Sequence, residues 1–119
     1  MNKIIFSLFT LALGISSLYA HPKHEFRASW MTTGFSIDWP KQKIAEAQKV
    51  ELQQKFDMLA GANHNAVCLQ VRSFCDALYK SSYEPWAECL TGTRGQDPGY
   101  DPLEFAVEEA HKRGLELHV

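Results

Sequence analysis

The side chains able to do chemistry in this sequence fall into three groups. Carboxylates and cations form the first: Asp38 stands directly before Trp39 and Pro40, Asp76 follows Arg72 by four residues, and His118 lies at the far end. A carboxyl group can exchange a proton or accept hydrogen bonds. The Arg72 guanidinium offers five donors in a rigid fork that suits carboxylates and clustered hydroxyls. Aromatic residues form the second group. Trp39, Tyr79, Tyr83, Trp86 and Tyr100 supply flat apolar faces against which a ring-shaped ligand can stack while its edges find polar partners. The third group is Cys68, Cys75 and Cys89, spaced by seven and then fourteen residues, which matches no zinc pattern. Nothing places a histidine beside Cys75 or Cys89, so no thiol nucleophile is expected. The five histidines show neither HExxH nor facial-triad spacing. Gly92, Gly95 and Gly99 follow no strand directly and make no phosphate-cradling loop. No metal, nucleotide or other cofactor is expected.

Each of these residues also has a purely structural use. Asp38 can cap a turn through nearby backbone amides. Asp76 can hold Arg72 as an ion pair. Trp39 and Trp86 can pack into a small core made by their own loops, and His118 can be a satisfied interior histidine. Cys75 and Cys89 could staple the segment between them, closing a ring of about fifteen residues worth about 3 kcal/mol. Cys68 is most simply a buried thiol.

The elements that must position these groups can be read from pattern. The chain has 119 residues, 45% hydrophobic, 12% aromatic and 22% charged, with a formal net charge of −2. Disorder, collagen-like repeats and coiled coil are excluded by that balance. Residues 1–20 read as a secretory signal peptide: a basic start at Lys3, an apolar run from Ile4 to Ile15, then small residues before a cut near Ala20. The run is too short to span a bilayer. The expected product, residues 21–119, is exported to the periplasm or medium and is mildly acidic, with no electrostatic pull toward nucleic acid or anionic lipid.

Phe26 to Thr33 reads as a first strand, and Lys43 to Ala60 as a helix whose stripe is Leu52, Phe56, Leu59 and Ala60, ended by Gly61. Asn65 to Arg72 reads as a second strand. Ser73 to Tyr100 is a segment of about twice the usual loop limit. A second helix starts at Asp101, with Pro102 in its first turn and Leu103, Ala106, Val107 and Ala110 as its stripe; Gly114 ends it. Leu115 to Val119 begins a third strand. Strand, helix, strand, helix, strand with short αβ turns predicts parallel strands in an α/β fold. Val67, Leu69 and Val71 alternate with Cys68, Gln70 and Arg72, and Leu115, Leu117 and Val119 with Glu116 and His118; Arg27 and Ser29 share a parity. One polar face per strand argues against a sheet covered by helices on both sides. It favours a barrel, the apolar side toward the helices and the polar side toward a lumen, where Arg27 or Arg72 can pair with Glu116. Arg72 and His118 would then sit at the C-terminal rim, where barrel active sites lie.

Several segments, in order along the chain, resemble the glycosyl-hydrolase-like family numbered ten. They are Phe26-Arg27 with Trp30, Ile37-Asp38-Trp39-Pro40, Asn65-Ala66-Val67 with Gln70-Val71-Arg72, Asp76-Ala77-Leu78-Tyr79, Tyr83-Glu84-Pro85-Trp86 and Leu90-Thr91-Gly92. Pro98 to Ala106 and His111 to His118 complete the match, so the resemblance covers essentially residues 25 to 119. It implies an exported (β/α)8 TIM barrel, of which this chain supplies the N-terminal part, about three strands and two helices. It also implies glycoside hydrolysis, with some members acting on glycan strands, including peptidoglycan stripped of its peptides.

That chemistry needs two carboxyl groups about 5 to 9.5 Å apart, one protonated and one ionised. Barrel glycosidases usually carry these on later strands, and a full barrel takes roughly 250 residues, so both catalytic acids are expected beyond residue 119. What the chain itself offers is substrate contact: Arg72, Asp38, Trp39, Asp76, His118 and Trp86. The expectation is a glycan-binding portion of a cell-wall glycan hydrolase, inactive alone. The alternatives are a non-catalytic carbohydrate-binding protein and a truncated product without function.

Overall fold

Leu52 and Phe56, one helical turn apart, are completely buried, and Leu59 and Ala60 pack partly buried beside them. They belong to helix α1, Ala45–Gly61, the connection between strands β1, Ala28–Met31, and β2, Ala66–Leu69. The structure, a computed structural model, describes residues 25–119; the expected signal peptide lies outside them. Among the described residues no helix is long and apolar enough to cross a membrane.

After β2 comes a long irregular segment with one short helix, α2, Glu88–Thr91. Then follow helix α3, Pro102–Lys112, and strand β3, Glu116–His118. The three strands form one parallel sheet in the order β1-β2-β3. The α/β alternation is therefore as the pattern predicts, with a third, one-turn helix that was not expected. Asp101 caps α3 as read: its Oδ1 accepts from the backbone N–H groups of Leu103 and Glu104, at 3.0 Å each, two of the donors that a helix start otherwise leaves unpaired.

Register decides which side of the sheet is covered. Ser29 is paired with Val67 and Met31 with Leu69, and Val67 with Leu117. Residues in register on parallel strands share a face. The face carrying Met31, Val67, Leu69 and Val71 joins the core formed with Leu52, Phe56, Ala106 and Ala110 of the two long helices. The opposite face carries Ala28, Trp30, Cys68, Gln70, Glu116 and His118, and among the described residues no helix covers it. Trp30 stands 67% exposed there.

This corrects the reading of the first strand. Arg27 and Ser29 have the parity of the helix-covered face, because the apolar anchor of β1 is Met31 at the same parity. Ser29 Oγ lies 2.9 Å from His64 Nε2 in the turn before β2. Arg27 Nε donates to the Asn63 carbonyl, and its Nη1 pairs with Glu25. The charge pairing expected across a lumen is not what the strands make. Arg72 pairs with Glu84, and Glu116 with His118.

Candidate functional site

The chain leaves β1 and β2 through two loops at the same end of the sheet, and they are stitched together. Thr33 Oγ1 donates to the Gln70 carbonyl (2.9 Å) and meets Ser73 Oγ at 2.6 Å. The first loop is closed on itself by Asp38: the Thr32 N–H donates to Asp38 Oδ2 at 2.8 Å, and the Asp38 and Trp39 N–H groups donate back to the Thr32 carbonyl. In both loops non-glycine residues take left-handed backbone, Phe35 and Ser36 at φ 53° and Cys75 at φ 53°. Such conformations cost energy and persist where the surrounding bonds dictate them.

Between these loops and α2 lies a cleft of about 500 Å³, within the range of small-ligand sites. Thr33, Ser73, Asp76 and Glu88 give it polar oxygen atoms, Lys43 and Arg94 give it cations, and Phe35 and Phe74 give it an apolar edge. The two phenyl rings meet edge to face, centroids 5.0 Å apart, and Phe35 is 84% exposed. Asp76 is only 3% exposed, its Oδ1 accepting from the Phe74 N–H at 3.2 Å. Arg94 donates to the carbonyls of Cys75 (2.8 Å) and Phe74 (3.2 Å), and Lys43 to that of Cys89 (2.7 Å). Both cations therefore hold the walls of the cleft while lining it.

The cysteines are all free thiols, so the structure contains no staple between Cys75 and Cys89. Burial, reinforced by the neighbouring Asp76 charge, pushes the Cys89 thiol up to about 11. It stays protonated and unreactive at neutral pH. Among the described residues no group of three or more His, Cys, Asp or Glu is placed to hold a metal ion.

Of the six residues singled out from sequence, only Asp76 lines this cleft. Asp38 is the turn-closing residue described above. Trp39 is 0% exposed, its indole N–H donating to the Gln48 carbonyl at 2.9 Å; it is a core anchor and shows no face to a ligand. Arg72 is exposed and paired with Glu84 rather than with Asp76. His118 is exposed on the uncovered face, 3.2 Å from Glu116 Oε2, with its ring edge on Phe26. Trp86 is partly buried against the core. It sits in the folded-back long segment, where Ala77 and Trp86 form a parallel bridge and the Ala87 N–H donates to the Ala77 carbonyl at 2.9 Å.

Arg94, Lys43, Phe35 and Phe74 were not legible as site residues, because they come from separate segments that only tertiary folding brings to one cleft. The sequence reading also passed over Gln48. This completely buried carboxamide donates to the carbonyls of Gln42 (2.7 Å) and Leu90 (2.6 Å) and accepts from the Tyr100 hydroxyl (2.8 Å). The signal was present: Gln48, Leu52 and Phe56 recur at four-residue intervals on one helix face.

Residues 25–119 match the family Glycosyl hydrolase-like 10. The chain belongs to this family. Over 101 residues it is 46% identical to glycosyl hydrolase YngK of Bacillus subtilis (strain 168), covering 83% of this chain and 20% of that protein. It is 37% identical over 101 residues to glycosyl hydrolase DigH of Escherichia coli (strain K12), covering 77% of this chain and 23% of that protein. DigH of Shigella flexneri matches to the same extent. The chain thus spans about a fifth of the length of the family relatives it matches.

Proposed function

We propose that this chain is the N-terminal portion of an exported (β/α)8 glycoside hydrolase acting on bacterial cell-wall glycan, and that it supplies part of the sugar-binding rim. The observation that carries the reading is the cleft between the loops that follow β1 and β2. It opens at the C-terminal end of parallel strands, in a chain whose family relatives are named glycosyl hydrolases. That end is where barrel enzymes build their sites from βα loops. The uncovered sheet face with Trp30 and Gln70 supports the barrel, since a curved sheet closed on itself would turn this face inward.

The cleft's chemistry suits a sugar chain. A pyranose presents C–H faces that lie against flat apolar rings, here Phe35 and Phe74, and hydroxyls that need both donors and acceptors. Ser73, Asp76 and Glu88 bring acceptors to the cleft, and Arg94, which uses only Nη2 on the Phe74 and Cys75 carbonyls, brings further N–H donors. Retaining or inverting hydrolysis requires a second carboxyl group at a set separation from the first, and we place that catalytic pair outside residues 25–119. Asp38, Asp76 and Arg72 then act in shaping or contacting the rim.

The test compares the 119-residue chain with the longer Bacillus subtilis relative on peptide-free peptidoglycan strands and chitotetraose. New reducing ends and the masses of the products are read. Cleavage by the longer protein with binding but no cleavage by this chain is expected. Turnover by this chain alone would refute the placement of the catalytic pair, and absence of glycan binding by both would refute the glycan reading.

A further inference from the structure

Gln70 directly follows β2, as Thr32 directly follows β1, and the two side chains meet just beyond the last register pair, Met31 with Leu69. Its carboxamide is held in one orientation by donors alone. The Thr33 N–H reaches Oε1 at 3.1 Å, the Gly34 N–H at 3.2 Å, and the Thr32 hydroxyl at 2.5 Å. Two of the three are backbone N–H groups, which can only donate, so the atom facing them must be the carbonyl oxygen. The amide cannot turn over without setting an NH2 against two N–H groups. Its Nε2, with two hydrogens, is therefore forced away from the loop, and it finds no partner among the described residues. Gln70 is half-buried, so this donor is fixed and still reachable.

The orientation is supported from behind. Thr32 is itself pinned by Asp38, whose carboxylate takes the Thr32 N–H, and Thr33 is pinned through its hydroxyl to the Gln70 carbonyl and to Ser73. Three anchored contacts on one oxygen make a side chain that loses little freedom when its nitrogen is engaged. A preset donor of this kind has the property that ligand-orienting groups require.

We propose that Gln70 is a substrate-binding residue of the rim, its Nε2 donating to an acceptor oxygen of the bound glycan. The proposal rests on the glycan reading above. Asp38, Thr32 and Thr33 are positioning residues for that contact. Gln70 does not itself line the cleft; it holds a neutral donor beside it, on the other side of the loop that carries Thr33 and Gly34, within reach of a glycan that extends past the cleft along the same rim.

Gln70→Glu separates the two ends of the side chain. A carboxylate still accepts from Thr33, Gly34 and Thr32, but has no donor to offer. Chitotetraose is titrated into the 119-residue chain and into the variant by NMR, following backbone amides and the Gln70 carboxamide. At least tenfold weaker binding by the variant is expected, with the Thr33 and Gly34 amide signals kept. In the parent chain the Gln70 NH2 signals should shift to saturation along with the rest of the site. Binding within twofold of the parent, or a Gln70 NH2 that stays unmoved at saturation, would overturn the assignment to Gln70 while leaving the glycan reading intact. The second readout needs no variant and holds even if Gln70→Glu disturbs the loop. No saturable binding by the parent chain would overturn this proposal, and the same result with the longer Bacillus subtilis relative would overturn the glycan reading as well.

Discussion

At the scale of single residues, the side chains that matter most are polar groups buried at the junctions between loops. Gln48 bonds Gln42 before α1, Leu90 of α2 and Tyr100 before α3, while its own carbonyl receives the Trp39 indole. One carboxamide therefore ties three segments to α1, including the helix that forms a wall of the cleft. Burial of this kind is favourable only while every group is paired, since each orphaned partner carries its full desolvation cost. Gln48→Ala is expected to lower stability by about 2–4 kcal/mol, read as a shifted urea midpoint at unchanged slope. Burial first, and the neighbouring Cys89 second, push the Tyr100 hydroxyl well above the ordinary phenol range, so it remains a donor at any physiological pH. A Tyr100→Phe variant should lose only part of the Gln48→Ala effect, because the two carbonyl contacts remain.

At the scale of elements, α1 and α3 are joined by charge as well as by packing. Arg113, just past α3, pairs with Asp57 of α1 at 2.6 Å and with Glu109 at 2.7 Å, and Gln53 of α1 donates to Glu109 at 3.1 Å. Hydrogen bonds from Lys112 first and Arg113 second hold the buried Glu109 carboxyl down to about 2, from an ordinary value of 4.5. A carboxyl depressed on folding stabilises the fold above its unfolded value and loses that contribution as pH falls through the folded one. Melting temperature should therefore drop between about pH 4.5 and pH 2 more steeply than in Glu109→Gln, which removes the titrating group. The start of α3 is a separate device. Asp101 caps it through one oxygen and receives the Lys80 N–H at 3.1 Å through the other, so Asp101→Ala should cost about 1–2 kcal/mol and loosen the long segment at Lys80, visible as faster amide exchange there. These elements also show what was legible beforehand. The α3 boundaries were written in Asp101, Pro102 and Gly114, and the α1 stripe in Leu52 and Phe56, because caps and periodic burial are local. The one-turn helix α2 was not legible, since four residues cannot display a period. The facing of β1 was misread because Arg27 and Ser29 were weighed by polarity, while the pairing with β2 follows Met31. The cleft itself was half legible: Asp76 stood out as an acid after Arg72, but Arg94 and Lys43 reach it from separate segments that only tertiary folding brings together.

At the scale of the whole molecule, the unequal faces of the sheet are the decisive property. The helix-covered face is closed by Val67, Leu69 and Met31, all buried, whereas the other face leaves Trp30 67% exposed and Phe26 62% exposed. Large apolar groups gathered on one face are the common mark of a surface that meets a partner or a further part of the fold. If the sheet closes into a barrel, Trp30 becomes an interior residue; if this chain works as an independent binding unit, Trp30 remains a surface residue. The two cases differ in the cost of a single change. In the 119-residue chain Trp30→Ser should alter stability by no more than about 0.5 kcal/mol, as expected of a surface site. In a chimera in which residues 25–119 replace the matching segment of the longer Bacillus subtilis relative, the same change should cost about 3–5 kcal/mol, the range for emptying a buried tryptophan site. Chemical denaturation of the two pairs measures the difference. A small effect in both would mean that the face stays open in the longer protein, and the barrel would have to be given up, together with the lumen-side donor assigned to Gln70.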